Sequence, residues 1–245
     1  MSNMRICILL AGRNDSRIDP SMPGFFQLFQ ALFSRCGGGS GIQLSERAVL
    51  DGEFPMDVHE FDGYLITGSP VSVYEDLPWV PRLMAFIRSA HTARLPLGGI
   101  CFGHQALAHA LGGQVAQSPK GWGAGIRTVP ILSRTAWMDD GPAACDLVYM
   151  HKDQVVALPE GSQLIMGDDF CPIAAFSLGN GVFGIQGHPE FTNQLALELV
   201  NLRAEKIGHT KAEAARESLK HPHHGDRAGK WLVDFFLRYR NGRGC

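Results

Sequence analysis

The stretch "GGICFGHQALAHALGG", Gly98 to Gly113, sets a cysteine between an apolar run and a segment rich in alanine and leucine. Gly99, Cys101 and Gly103 have the spacing of a strand-to-helix elbow, G-x-[nucleophile]-x-G. Side chains two residues either side of the central one would collide as the backbone reverses, and glycine tolerates the dihedrals such a turn imposes. On this placement the thiol sits at a helix N-terminus, where unpaired N–H groups and the helix dipole favour a thiolate. The elbow alone leaves two readings open, a small buried core cysteine or a nucleophile mounted on a bend.

Similar apolar runs lie upstream, "RICILLAG" (5–12) and "DGYLITG" (62–68), and the elbow itself is entered through "PLGGICFG" (96–103). Runs apolar on both faces need cover on both sides and read as buried parallel strands. Between them, "GFFQLFQALF" (24–33) carries Phe25, Phe29, Leu32 and Phe33 on one helical stripe, and "PWVPRLMAFIRSA" (78–90) is a helix entered through prolines. Alternating strand and helix implies right-handed crossovers and an α/β fold, a doubly wound, mostly parallel sheet with helices on both faces. Four later runs, at 127–132, 146–150, 163–167 and 181–189, are closely spaced and predict a sheet extension with some antiparallel pairing. "CGGGSG" (36–41) reads as a flexible loop.

The chain has 245 residues, 45% of them hydrophobic, which is enough for one sizeable core. A net charge of −2 gives no electrostatic case for nucleic acid or an anionic membrane as partner. Six cysteines without a C-x-x-C pair argue against a disulfide framework and a structural zinc site. With no signal-like start and no long apolar run, a cytoplasmic protein is expected. Residues 203–245 differ in character, with ten Lys or Arg against five Asp or Glu. There Thr210 and Glu213 match a capping box, Pro222 stops that helix, and Trp231, Leu232, Phe235, Phe236 and Tyr239 form a stripe on a last helix. The chain is therefore read as residues 1–202 plus a basic helical extension, 203–245, packed on the same domain; a docking surface for another protein is the sharper alternative. "HPHHGD" (221–226) lacks a second ligand cluster, and no metal is expected.

A nucleophilic cysteine needs a base. Among ten histidines, His188 leaves an apolar strand on a proline-stiffened turn with Glu190 two residues on, placed to hold the imidazole tautomer. His104 and His109 fall on the helix after the elbow, and His151 opens "HKDQV", a plausible site rim. Oxyanion donors are the N–H of Phe102, next after the cysteine, and of Gly68 in "ITGSP". Both belong at the carboxyl ends of strands, where open α/β sheets bind ligands.

These stretches resemble the class I glutamine amidotransferases of Cys-His-Glu type. The resemblance is carried by "LITGSPVSVYED" (65–76), "GICFGHQALAHALGG" (99–113), "KGWGAGI" (120–126), "HKDQVVALP" (151–159) and "GIQGHPEF" (184–191), over roughly residues 1–200. It implies a flavodoxin-like sheet, Cys101 as nucleophile, His188 as base, Glu190 as orienting acid, an oxyanion hole at Gly68 and Phe102, and Gln105 beside a γ-glutamyl group. Ser69, Glu75 and His151 are candidates by position for the substrate's α-amino and α-carboxylate groups. The stand-alone, GMP synthetase-like subgroup, which includes γ-glutamyl peptidases, is the nearest match through "GSPVSVYED" and "HKDQVVALP". No G-x-x-x-x-G-K-[ST] loop or acceptor-binding region follows residue 200, so the chain is not expected to use released ammonia itself. The expected reaction is cofactor-free hydrolysis of a γ-glutamyl amide through a Cys thioester. Glutamine as substrate would supply an ammonia-accepting synthetase subunit, and a γ-glutamyl peptide or conjugate would make the enzyme a peptidase. A non-catalytic module of the same fold is the third reading. A cysteine-elbow α/β hydrolase is disfavoured because there the acid precedes the histidine.

Overall fold

In the computed structural model, which describes residues 3–242, β1 (Met4–Leu9) leads through α1 (Phe25–Arg35) to β2 (Ile42–Arg47) and β3 (Gly63–Ile66). Then follow α2 (Trp79–Thr92), β4 (Leu97–Ile100), α3 (Phe102–Ala110), β5 (Gln114–Gln117), β6 (Gly123–Pro130), β7 (Ala144–His151) and β8 (Asp153–Ala157). The chain continues through β9 (Ser162–Met166), β10 (Ala175–Leu178) and β11 (Val182–Ile185) into α4 (Asn193–Leu202), α5 (Ala204–Ile207), α6 (His209–Ser218) and α7 (Gly225–Gly242). The main sheet has the order β2-β1-β3-β4-β11-β10-β9, its first five strands parallel and its last two antiparallel. The parallel part has the flavodoxin-like 2-1-3-4-5 order.

Every residue of β3, β4 and β11 is buried, because helices cover the sheet on both sides. On one face α1 and α7 supply Phe29, Leu32, Trp231, Phe235 and Phe236 to the core. On the other, α2 and α3 supply Val80, Leu83, Ile87, Phe102 and Leu107. The predicted C-terminal stripe is thus buried under the sheet, with Phe236 6.3 Å from Phe33 of α1, while the Tyr239 hydroxyl donates to the Arg94 carbonyl. Arg243 and Cys245 of the basic tail lie outside the described residues.

Two expectations are corrected. The runs at 127–132 and 146–150 do not extend the sheet; β6 and β7 form their own antiparallel hairpin, from Gly123 opposite His151 to Pro130 opposite Ala144. It is covered by α4 and α6, whose Leu195, Leu199, Ala212 and Ala215 pack on Val148 and Met150. The run at 181–189 joins the sheet through β11, parallel to β4 and antiparallel to β10, in keeping with the expected extension. Within the 36–41 loop the chain forms a 3-10 turn, Gly38–Ser40. No capping box forms at Thr210, because α6 already begins at His209 with Gly208 as N-cap, and Glu213 instead accepts from Arg216 at 2.6 Å. Among the described residues no helix is long and apolar enough to cross a membrane.

Candidate active site

Cys101 follows the last residue of β4 and is the N-cap of α3, with φ 53° and ψ −104°. A non-glycine residue there stores about 1–3 kcal/mol of strain, so the surroundings must hold it. They do so through backbone hydrogen bonds, from Cys101 N–H to Ile185 at 2.9 Å and from Gly103 N–H to Thr67 at 3.1 Å. The flanking glycines are required by close approach. A Cβ on Gly99 would lie 2.5 Å from the Gly103 backbone, and one on Gly103 would collide with the Ile66 carbonyl.

His188 is delivered by the continuation of β11. Its N–H donates to the Val148 carbonyl at 2.8 Å, tying the turn to β7. Ring Nδ1 lies 2.8 Å from Glu190 Oε1, and both side chains are buried. With Nδ1 engaged, the opposite ring nitrogen is left for Cys101, which is within side-chain hydrogen-bonding reach. Burial alone would pull the His188 pKa down, but the charges of Glu190 and Cys101 outweigh it and raise the pKa to about 10. Glu190 and Cys101 thus favour the protonated imidazole.

Gly68 follows β3 directly across from this pair. A Cβ on it would lie 2.9 Å from His188 Cε1 and 3.7 Å from Cys101 Cβ, so its main chain passes close over both groups. Among the described residues neither the Gly68 nor the Phe102 N–H donates to a backbone carbonyl. Two cavities meet here, of about 90 and about 340 Å³, and Cys101, Ser69 and Arg203 line both. His188 and Gly68 line the smaller; Gln105 and His151 line the larger. Gln105 Nε2 donates to the Asp153 carbonyl at 2.8 Å and to Gln186 Oε1 at 3.0 Å. His151 is buried, and that burial lowers its pKa to about 3, leaving the ring neutral. Glu75 is exposed, lines neither cavity, and accepts from the Ser72 N–H at 2.8 Å.

A sequence profile of the family described as glutamine amidotransferase class-I matches residues 45–201. The chain belongs to the class I glutamine amidotransferases. It is 31% identical over 205 residues to gamma-glutamyl peptidase 3 of Arabidopsis thaliana, covering 80% of this chain and 81% of that protein. Gamma-glutamyl peptidase 5 of the same plant is 26% identical over 97% of this chain and 96% of its own. A GMP synthase (glutamine-hydrolyzing) of Dehalococcoides mccartyi is 33% identical over 52% of this chain, a match that spans 23% of the synthase. A crystal structure of a glutamine amidotransferase from Thermotoga maritima shares the fold, with a TM-score of 0.75 at 18% identity over 98% of this chain and 99% of that one.

In this class I glutamine amidotransferase several site neighbours escaped the sequence reading. Phe191 stacks on His188, Asp153 forms a buried floor of the larger cavity and accepts from the Ser72 hydroxyl, and Arg203 stands at the junction of the two cavities. The first two lie inside quoted motifs, where an aromatic next to H-P-E and an acid in "HKDQVV" are the available signals. Arg203 has none, being one charge in a charged segment. His104 is buried with Nε2 3.1 Å from the Ile173 carbonyl, and His109 is exposed. In "HPHHGD", His224 Nδ1 accepts from the Asp146 N–H at 2.9 Å and His223 Nδ1 from the Gly225 N–H at 3.0 Å, so both are spent in fastening the start of α7.

Proposed function

We propose that this chain hydrolyses γ-glutamyl amide bonds through a thioester on Cys101. The observation that carries the reading is the relay from Cys101, which lines both cavities, to His188 and on to Glu190. The Cys101 thiolate forms a bond to the amide carbonyl carbon, and the oxygen, now anionic, takes hydrogen bonds from the Gly68 and Phe102 N–H groups. As the C–N bond breaks, His188 gives its proton to the leaving nitrogen. A water oxygen then bonds to the thioester carbon while His188 takes one of its protons. The C–S bond breaks, the thiolate returns, and the γ-carboxylic acid loses its proton to solvent. Each oxyanion donor contributes ~10²–10³-fold and the positioned base ~10²–10⁴-fold. No step calls for a cofactor or metal.

The larger cavity, with Gln105, Ser69 and His151 in its wall, is the place for the γ-glutamyl group. Exposed Glu75 has no such part. The relatives matched along 81% and 96% of their own length are γ-glutamyl peptidases, which favours an amino acid or peptide as leaving group. Likeness to part of GMP synthases supports a second reading, ammonia release to a synthetase subunit. All five cysteines among the described residues are free, which fits a reducing cytoplasm. The test is glutamate release by the purified chain from γ-glutamyl dipeptides and from glutamine. Cys101→Ala and Cys101→Ser should abolish it, and the wild type should show the added mass of a glutamyl group on Cys101. Turnover surviving in either variant would overturn the proposal, and absence of both turnover and acylation would favour a binding module.

A further inference from the structure

Arg203 follows α4 and lines both cavities beside Cys101. It is half-buried, and among the described residues its guanidinium makes no side-chain hydrogen bond or ion pair. Arg17, which also lines the larger cavity, is taken up by Asp15 through two bonds of 2.9 and 2.8 Å. Asp153 accepts from the Ser72 hydroxyl, and Lys152, Lys206 and Glu205 stand in the same wall. Burial pulls the Arg203 pKa down while the charges of Cys101 and Asp15 push it up; a guanidinium keeps its proton at neutral pH in either case. Its guanidinium thus borders a substrate-sized space without a hydrogen bond or ion pair to the carboxylates of the same wall among the described residues. A guanidinium at a cavity wall with no internal partner has its donors available to an anion that enters.

We propose that Arg203 is a carboxylate-binding residue of this cavity, its planar fork receiving a carboxylate of the substrate. Resting on the γ-glutamyl hydrolase reading, this assigns the ligand chemistry but not the source. The carboxylate belongs either to the γ-glutamyl α-carbon or to a leaving amino acid. Arginine suits it because two parallel N–H groups match two carboxylate oxygens.

The first test needs no turnover. Full-length wild type, Arg203→Met and Arg203→Lys are alkylated with iodoacetate, an anion, and with neutral iodoacetamide, and modification of Cys101 is followed by peptide mass. The ratio of the two rates should fall about 10- to 100-fold in Arg203→Met, the scale of a lost charged hydrogen bond, and largely recover in Arg203→Lys. A ratio unchanged in Arg203→Met overturns the proposal. In the second test kcat and KM are compared for γ-glutamylglycine, γ-glutamylglycinamide and glutamine. Raised KM in Arg203→Met for γ-glutamylglycine alone assigns the leaving-group carboxylate, raised KM for all three assigns the α-carboxylate, and no change for any overturns it. If none is turned over, the hydrolase reading fails while the alkylation ratio still decides on the anion site.

Discussion

Phe191 lies flat against His188, their ring centroids 3.9 Å apart and their planes 10° from parallel. The hydrogen bond to Glu190 fixes one direction within the imidazole plane, and the stack fixes the plane itself. Together they leave the ring little freedom to swing away from Cys101. Phe191→Leu should therefore lower kcat roughly 10-fold, within the ~10²-fold cost of an ångström of misplacement. Phe191→Tyr, which keeps the stack, should retain most of the rate. Steady-state kinetics on both variants checks this, and equal rates for Leu and Phe would show that the stack does not position the ring.

The His188 pKa of about 10, against 6.5 for a free imidazole, makes folding favour the protonated ring. A raised pKa contributes stability that is fully present below pH 6.5 and is lost as pH climbs through 10. Glu190→Gln removes a charge that raises it. The difference in melting temperature between wild type and Glu190→Gln should be largest at pH 6.5 and shrink toward pH 10, and the alkaline limb of activity should move to lower pH in the variant. Thermal melts across that range check the sign; a gap that widens with pH would refute it.

Gly103→Ala drives a Cβ into the Ile66 carbonyl, a backbone atom of β3 that has nowhere to go. The expected cost is about 1–3 kcal/mol, together with a displaced elbow. Denaturant unfolding should show the loss, and Cys101 alkylation should slow with it.

On the far face, Phe236 is fully buried between Phe33 and the Gly98 backbone. Phe236→Ala should destabilise by about 3–5 kcal/mol. Lys230→Ala, which breaks only the exposed pair with Asp234, should stay within about 0.5 kcal/mol. Similar unfolding midpoints for the two would mean that α7 is not part of the core.

Much of the fold was legible where the signal is local. β1, β3 and β4 are apolar on both faces because both faces are covered, and the elbow glycines announce a backbone crossing. β2, "IQLSER", escaped because an edge strand half open to water carries polar residues and has no distinctive period. The runs of β6 and β7 read as strands yet do not reveal their separate hairpin, since a strand's sequence says which residues are buried and not against what. Glu75 stands outside both cavities for a similar reason. Its motif lies near the cavity, yet its side chain turns outward to cap Ser72.

By itself the sequence determined the chemistry on offer: a cysteine on a glycine-flanked bend, a histidine with an acid two residues on, and alternating strands and helices. Those are short-range patterns, set by steric and hydrogen-bonding rules that act over a few residues. Only the tertiary structure decided that β4 and β11 lie side by side in parallel, so that their ends present Cys101 and His188 to one another. The same packing brings α4 over the hairpin and sets Arg203 where the two cavities meet. Contacts between distant segments depend on how whole faces bury against each other, and no local spacing encodes that.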